Sequence, residues 1–116
     1  MDTAHMTTER RPWGEFRKFV ENEKVTVKII LVVAGEEFSL QEHHHRSEFW
    51  HIISGTPEVT IGETTVNAKA GDEFTIPVGS MHRMKAVGGD ATFLEISSGE
   101  FDENDIVRMK DDYGRA

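Results

Sequence analysis

Apolar and polar positions alternate along most of this chain in short runs, and the long 3.6-residue periodicity of an amphipathic helix is missing. The runs cover residues 25–33, 39–45, 48–53, 58–61, 64–67, 73–76, 81–86 and 91–97. They are rich in Val, Ile, Thr and Phe, side chains that suit a half-buried pleated surface. Gly, Pro, Asn and Asp interrupt them at roughly the 8 to 12 residue spacing of an all-β sandwich or barrel, which is the predicted fold class.

Turn chemistry sharpens the outline. Gly62-Glu63 joins two runs by a two-residue link whose leading glycine suits a type II′ hairpin, and Gly88-Gly89-Asp90 offers a second hairpin. After Gly99 the pattern changes, and residues 102–110 read as a short C-terminal helix with Asp102 as its N-cap and acidic residues in the first turn. Pro12-Trp13-Gly14 is a turn carrying a large aromatic, expected to plug the barrel in preference to packing on a partner subunit. The lead-in, residues 1–10, reads as a flexible segment, and residues 11–116 as a single domain.

Composition narrows the classes of function. At 116 residues the chain accommodates one core. It has no cysteine, so thiolate metal sites, cysteine nucleophiles and disulfides are excluded, and a cytoplasmic setting is expected. A formal net charge of -8 argues against nucleic-acid binding, which relies on a basic surface. The amino terminus carries Asp2, His5 and Glu9 without an apolar run, so neither a signal peptide nor membrane association is expected.

One cluster of polar residues stands out. Gln41, His43 and His45 are spaced two apart, so on a strand they emerge from one face. Glu48 has the opposite parity to His43, and a bulge or tight turn around Arg46-Ser47 is needed to bring its carboxylate to the same pocket. Four inward polar groups would each cost about 1 to 3 kcal/mol if unsatisfied, whereas a metal ion satisfies them together. His43 and His45 look like the natural ligand pair. Downstream, Pro77-Val78-Gly79 turns the chain so that His82 points back along the next strand.

These residues resemble the cupin family, a double-stranded β-helix or jelly-roll-like barrel. Its first motif is met by Gly35, Gln41, His43, Glu48 and Gly55, with Gln41 in place of the first histidine. Its second is met by Gly71, Pro77, Gly79 and His82, with Ala86 at the final Asn position. The resemblance implies one divalent metal held by Gln41, His43, Glu48 and His82, which makes Gln41 and His43 the pair and releases His45. Nitrogen and oxygen donors suit zinc first, with manganese, cobalt, nickel or iron as alternatives.

A narrower resemblance runs through Arg-Pro-Trp-Gly at 11–14, the segments 39–50, 76–83 and 105–108, and Asp-Asp-Tyr-Gly-Arg at 111–115. It is to the isomerase domain at the carboxyl end of bifunctional mannose-6-phosphate isomerase / mannose-1-phosphate guanylyltransferase enzymes. The sequence has no Gly-rich phosphate loop, so only the isomerase half is implied. That resemblance implies interconversion of mannose 6-phosphate and fructose 6-phosphate through a metal-stabilised enediolate. His45 is the expected base, with Glu95 next, and Arg83 is grouped with them as a catalytic candidate. Arg46, Arg108 and Lys28 are the cations expected to bind the sugar phosphate. His45 has a competing role as a hydrogen-bond donor to Glu48. Phe49 stands where that family usually has histidine. Two other functions are compatible with the barrel: a different metal enzyme such as an oxygenase or epimerase, and a non-catalytic sugar-binding module. A homodimer is the expected assembly.

Overall fold

The structure, a computed structural model, describes residues 3–110. The segment 111–115 that contributes to the narrower resemblance lies outside the described residues. Eleven strands run in chain order: β1 (Thr7–Arg11), β2 (Gly14–Lys18), β3 (Val25–Val32), β4 (Leu40–Glu42), β5 (Arg46–Ser54), β6 (Glu58–Ile61), β7 (Thr64–Asn67), β8 (Glu73–Ile76), β9 (His82–Lys85), β10 (Ala91–Gly99) and β11 (Val107–Lys110).

Three antiparallel sheets result. Strands β1 and β2 pair only with each other, a four-stranded sheet has the order β3-β10-β5-β8, and a five-stranded sheet has the order β11-β4-β9-β6-β7. The two larger sheets enclose an apolar core. Trp50, Ile52, Val59, Ile76, Met84 and Phe93 are all 1% exposed or less, with the Trp50 and Phe93 ring centroids 4.8 Å apart. The expected all-β barrel is therefore present. No helix among the described residues is long and apolar enough to cross a membrane.

Four local expectations are corrected. The C-terminal helix is absent. Asp102 does accept the Asn104 backbone N–H, at 2.9 Å, but it closes a single turn. The chain then continues as β11, whose backbone groups find partners along β4. Gly88-Gly89-Asp90 is not a hairpin: β9 and β10 lie in different sheets, and the link carries the chain across. Trp13 does not plug the barrel. It sits 74% exposed at the turn of the β1–β2 hairpin. Finally, the lead-in read as flexible through Arg10 holds a strand from Thr7, with Thr7 opposite Lys18. By contrast, Gly62-Glu63 does close the β6–β7 hairpin, with Gly62 at φ 60° as its leading position requires.

Candidate metal centre

The inner face of β5 builds one wall of the site. Along a strand alternate side chains share a face, so Arg46, Glu48 and Trp50 project into the barrel while Phe49 projects out of it. Strand β4 ends at Glu42, and residues 43–45 form a bend before β5 begins. That bend, rather than a bulge at Arg46-Ser47, brings His43 and Glu48 to the same cavity. The end of β10 lies so close that a Cβ on Gly99 would stand 2.5 Å from the His45 carbonyl oxygen; only glycine fits there.

His43, Glu48 and His82 are buried, and their candidate donor atoms all lie within 4.8 Å of one another. Nε2 of His43 is 3.4 Å from one Glu48 oxygen, and Nε2 of His82 is 3.6 Å from the other. The opposite ring nitrogens face backbone carbonyls: His43 Nδ1 is 2.7 Å from the Asp105 oxygen, and His82 Nδ1 is 3.0 Å from the Ser80 oxygen. A carbonyl can only accept, so each Nδ1 carries the proton and each Nε2 presents a lone pair. Burial pushes the His82 pKa down, against the raising effects of Glu48 and the Ser80 carbonyl, which keeps that ring neutral. Two nitrogen lone pairs thus face carboxylate oxygens, an arrangement that a cation between them stabilises. The donor set fits a divalent ion. Gln41 pairs with His82 across β4 and β9 and lines the same cavity.

Around these donors lies a cavity of about 220 Å³. Arg46 and Trp50 hold Glu48 in place, through Arg46 Nε at 3.1 Å and the Trp50 indole N–H at 3.1 Å. A second Arg46 nitrogen donates to His43 Nε2 at 3.1 Å, and a third reaches the Asp102 carbonyl at 3.2 Å. Arg46 is therefore committed to the ligand cluster rather than presented to the cavity mouth, and it must release His43 Nε2 when an ion takes that lone pair. Lys28 also lines the cavity, with its ammonium 2.9 Å from Glu103 and 4.5 Å from the Phe101 ring centroid. Opposite Lys28 on β10 stands Glu95, 6% exposed. Burial first, and the Glu48 charge second, push its pKa up to about 7.

The other expected residues are dispersed. His45 is exposed and does not line the cavity; it neither reaches it as a base nor donates its ring to Glu48. Asp105 explains why. Its carboxylate accepts the backbone N–H groups of both His44 and His45 at 2.9 Å, which turns the chain out of strand geometry before His45 can share a face with His43. Arg83 lies beside Glu37, 3.4 Å away, outside the cavity wall. Arg108 on β11 pairs with Gln41 on β4 and so shares its face, and its Nε is buried without a hydrogen-bond partner among the described residues. Phe49, 2% exposed, packs outside the cavity beneath Phe19, with ring centroids 5.9 Å apart. The residue at that position therefore does not contact the donors.

Sequence reasoning missed Asp105 and Trp50 as parts of the site. The available signal was slight: an aspartate, here following Asn104, is a common acceptor for backbone N–H groups in turns.

The profile of the family described as Mannose-6-phosphate isomerase C-terminal matches residues 1–111. The chain is 41% identical over 105 residues to Mannose-1-phosphate guanylyltransferase 2 of Escherichia coli O157:H7, covering 89% of this chain and 22% of the relative. It is 42% identical over 107 residues to the Xanthan biosynthesis protein XanB of Xanthomonas campestris pv. campestris, covering 90% and 23%. The chain thus spans under a quarter of the length of these relatives. A Klebsiella pneumoniae protein with a double-stranded β-helix domain superposes with a TM-score of 0.65 at 22% identity, covering 77% of each chain, and supports the cupin fold.

These findings correct the expected activity. The relatives are named for guanylyl transfer and polysaccharide biosynthesis, not for interconverting mannose 6-phosphate and fructose 6-phosphate. The structure also removes the base on which the isomerase reading leaned, because His45 faces away from the cavity.

Proposed function

The chain belongs to the Mannose-6-phosphate isomerase C-terminal family, and on that premise we propose that it is a metal-holding cupin domain that binds a small phosphorylated sugar. The observation that carries this reading is the pairing of two histidine lone pairs with the Glu48 oxygens, at 3.4 and 3.6 Å, in a cavity that Lys28 also lines. A divalent ion held by His43, Glu48, His82 and Gln41 supplies a centre of about +1 formal charge that attracts hydroxyl and phosphate oxygens. Zinc is the first choice for two imidazoles and a carboxylate, with manganese, cobalt, nickel or iron next.

The chain's own residues supply the rest. Lys28 offers an ammonium at the cavity wall, and the unpartnered Arg108 Nε a guanidinium on the face of Gln41. Glu95, neutral below about pH 7, spares an incoming anion a second carboxylate beside Glu48. The relatives named for mannose 1-phosphate suggest which sugar to try first. The absence of cysteine fits the reducing cytoplasm, where we place the chain.

Calorimetric titration of the chelated and the metal-loaded chain with mannose 1-phosphate, mannose 6-phosphate and inorganic phosphate tests the reading. A sugar phosphate should bind only the loaded chain, more tightly than inorganic phosphate, and Lys28→Ala should weaken it about tenfold, the scale of one charge-assisted hydrogen bond. Failure of both sugar phosphates to bind a chain that has taken up its ion would contradict it.

A further inference from the structure

Two of the proposed metal donors already share a cation supplied by the chain itself. Nε2 of His43 and Oε2 of Glu48 lie 3.4 Å apart, and the Arg46 guanidinium bridges them. Its Nε donates to Glu48 Oε2 at 3.1 Å, and one terminal nitrogen, Nη2, donates to His43 Nε2 at 3.1 Å. The Arg46 residue is 6% exposed, so both bonds are sheltered from solvent.

The two acceptors differ in what they can share. A carboxylate oxygen has a second lone pair and can hold an ion and an N–H together. An imidazole nitrogen has one lone pair, which serves either an N–H or an ion. The Asp105 carbonyl, 2.7 Å away, keeps the proton on His43 Nδ1, so Nε2 is the one nitrogen that His43 can offer. Competition therefore falls on a single bond, Arg46 Nη2 to His43 Nε2. The rest of the guanidinium has anchors away from the donors. Nη1 donates to the Asp102 carbonyl at 3.2 Å, and the group lies over the Phe101 ring, 4.5 Å from its centroid. Arg46 can give up His43 and still be held.

We infer that Arg46 is a resident competitor for the metal: its guanidinium bridges His43 and Glu48 in the metal-free chain and yields the His43 lone pair when an ion is taken up. The inference rests on the metal site proposed above and adds how that site exchanges its ion. Arg46 has two effects of opposite sign. It keeps the buried Glu48 charge paired and the ligands assembled, which stabilises the metal-free chain. It also makes each uptake break a charge-assisted hydrogen bond and leaves a fixed positive charge beside the ion, which weakens binding. A residue that merely oriented Glu48 would instead strengthen binding.

Zinc affinity of the full chain, measured by competition with a chromophoric chelator, tests the inference by its sign. Arg46→Leu should bind zinc about 10- to 100-fold more tightly than the wild type, the worth of one charge-assisted hydrogen bond, and should release it more slowly to excess chelator. Without zinc the same variant should unfold at a lower denaturant concentration than the wild type, and the deficit should shrink when both are zinc-loaded. Arg46→Lys, which keeps the charge but loses the planar fork, should shift the affinity in the same direction by less. It decides the question if Arg46→Leu does not fold. Zinc bound more weakly or equally well by the folded variants would overturn the inference and leave the metal site standing. Failure of wild type and variants alike to take up zinc would contradict the metal site and the inference with it.

Discussion

At its cavity end, the four-stranded sheet reverses the usual order of polarity between its two faces, while the rest of its inner face supplies the apolar core of Trp50, Ile52 and Phe93. Inside, β3 presents Lys28, β10 presents Glu95 and Ser97, and β5 presents Arg46 and Glu48, all at the end of the barrel that holds the cavity. Outside, the same strands present Val27, Ile29, Leu31 and Leu94. The difference teaches that burial alone does not describe this sheet. Its inner polar groups are buried because each is engaged: Glu48 by Arg46 and Trp50, Glu95 by Ser97 at 3.3 Å, His43 and His82 by backbone carbonyls. Its outer apolar groups are left more than half exposed at Val27, Ile29 and Leu31, with nothing among the described residues covering them.

The comparison breaks most severely at Glu48. Glu48→Ala strips Arg46 of its buried partner and should cost about 3 to 5 kcal/mol of stability in the metal-free chain, as removal of one member of a buried ion pair does. Denaturant unfolding measures it, and metal uptake should be lost in the same variant. Glu95 comes next. Its folded pKa of about 7 lies above the usual 4.5, so between those values the folded chain keeps a proton that the unfolded chain has released. The contribution of Glu95 to the stability of the metal-free chain should therefore be fully present toward acid and be lost as the pH rises through 7, by up to roughly 3 kcal/mol. Glu95→Gln should flatten that slope in melts run between about pH 5 and pH 8.

A smaller effect is expected at Asp105, which touches no candidate donor atom with its side chain but fixes the 43–45 bend. Asp105→Ala should lower metal affinity by about 10- to 100-fold, the range for residues that orient metal ligands. The smallest is at His45, whose ring is exposed. His45→Ala should change stability by no more than about 0.5 kcal/mol and leave metal affinity unaltered; a large loss of either would return His45 to the site.

Much of the inner face was legible in the sequence. The resemblance to the cupin motifs implied that Gln41, His43, Glu48 and His82 share one site, and all four line the cavity. What failed was parity at 43–45. Alternation predicts that His45 follows His43, and it does so only while the strand continues. The Asp105 carboxylate ends that strand from 60 residues away, a contact that local pattern cannot reveal. The helix over 102–110 failed for a related reason: an N-cap signal at Asp102 is local, whereas the backbone partners that β4 offers to β11 are not. Trp13 illustrates the third limit. Its size argues for burial, yet the described residues leave it 74% exposed at a hairpin turn.

The central claim is that His43, Glu48 and His82 form one metal site. Equilibrium zinc binding to the chelated chain, wild type beside His82→Ala, tests it most directly. One ion per chain in the wild type and loss of that high-affinity ion in His82→Ala is the predicted result; undiminished stoichiometry and affinity in His82→Ala would contradict it.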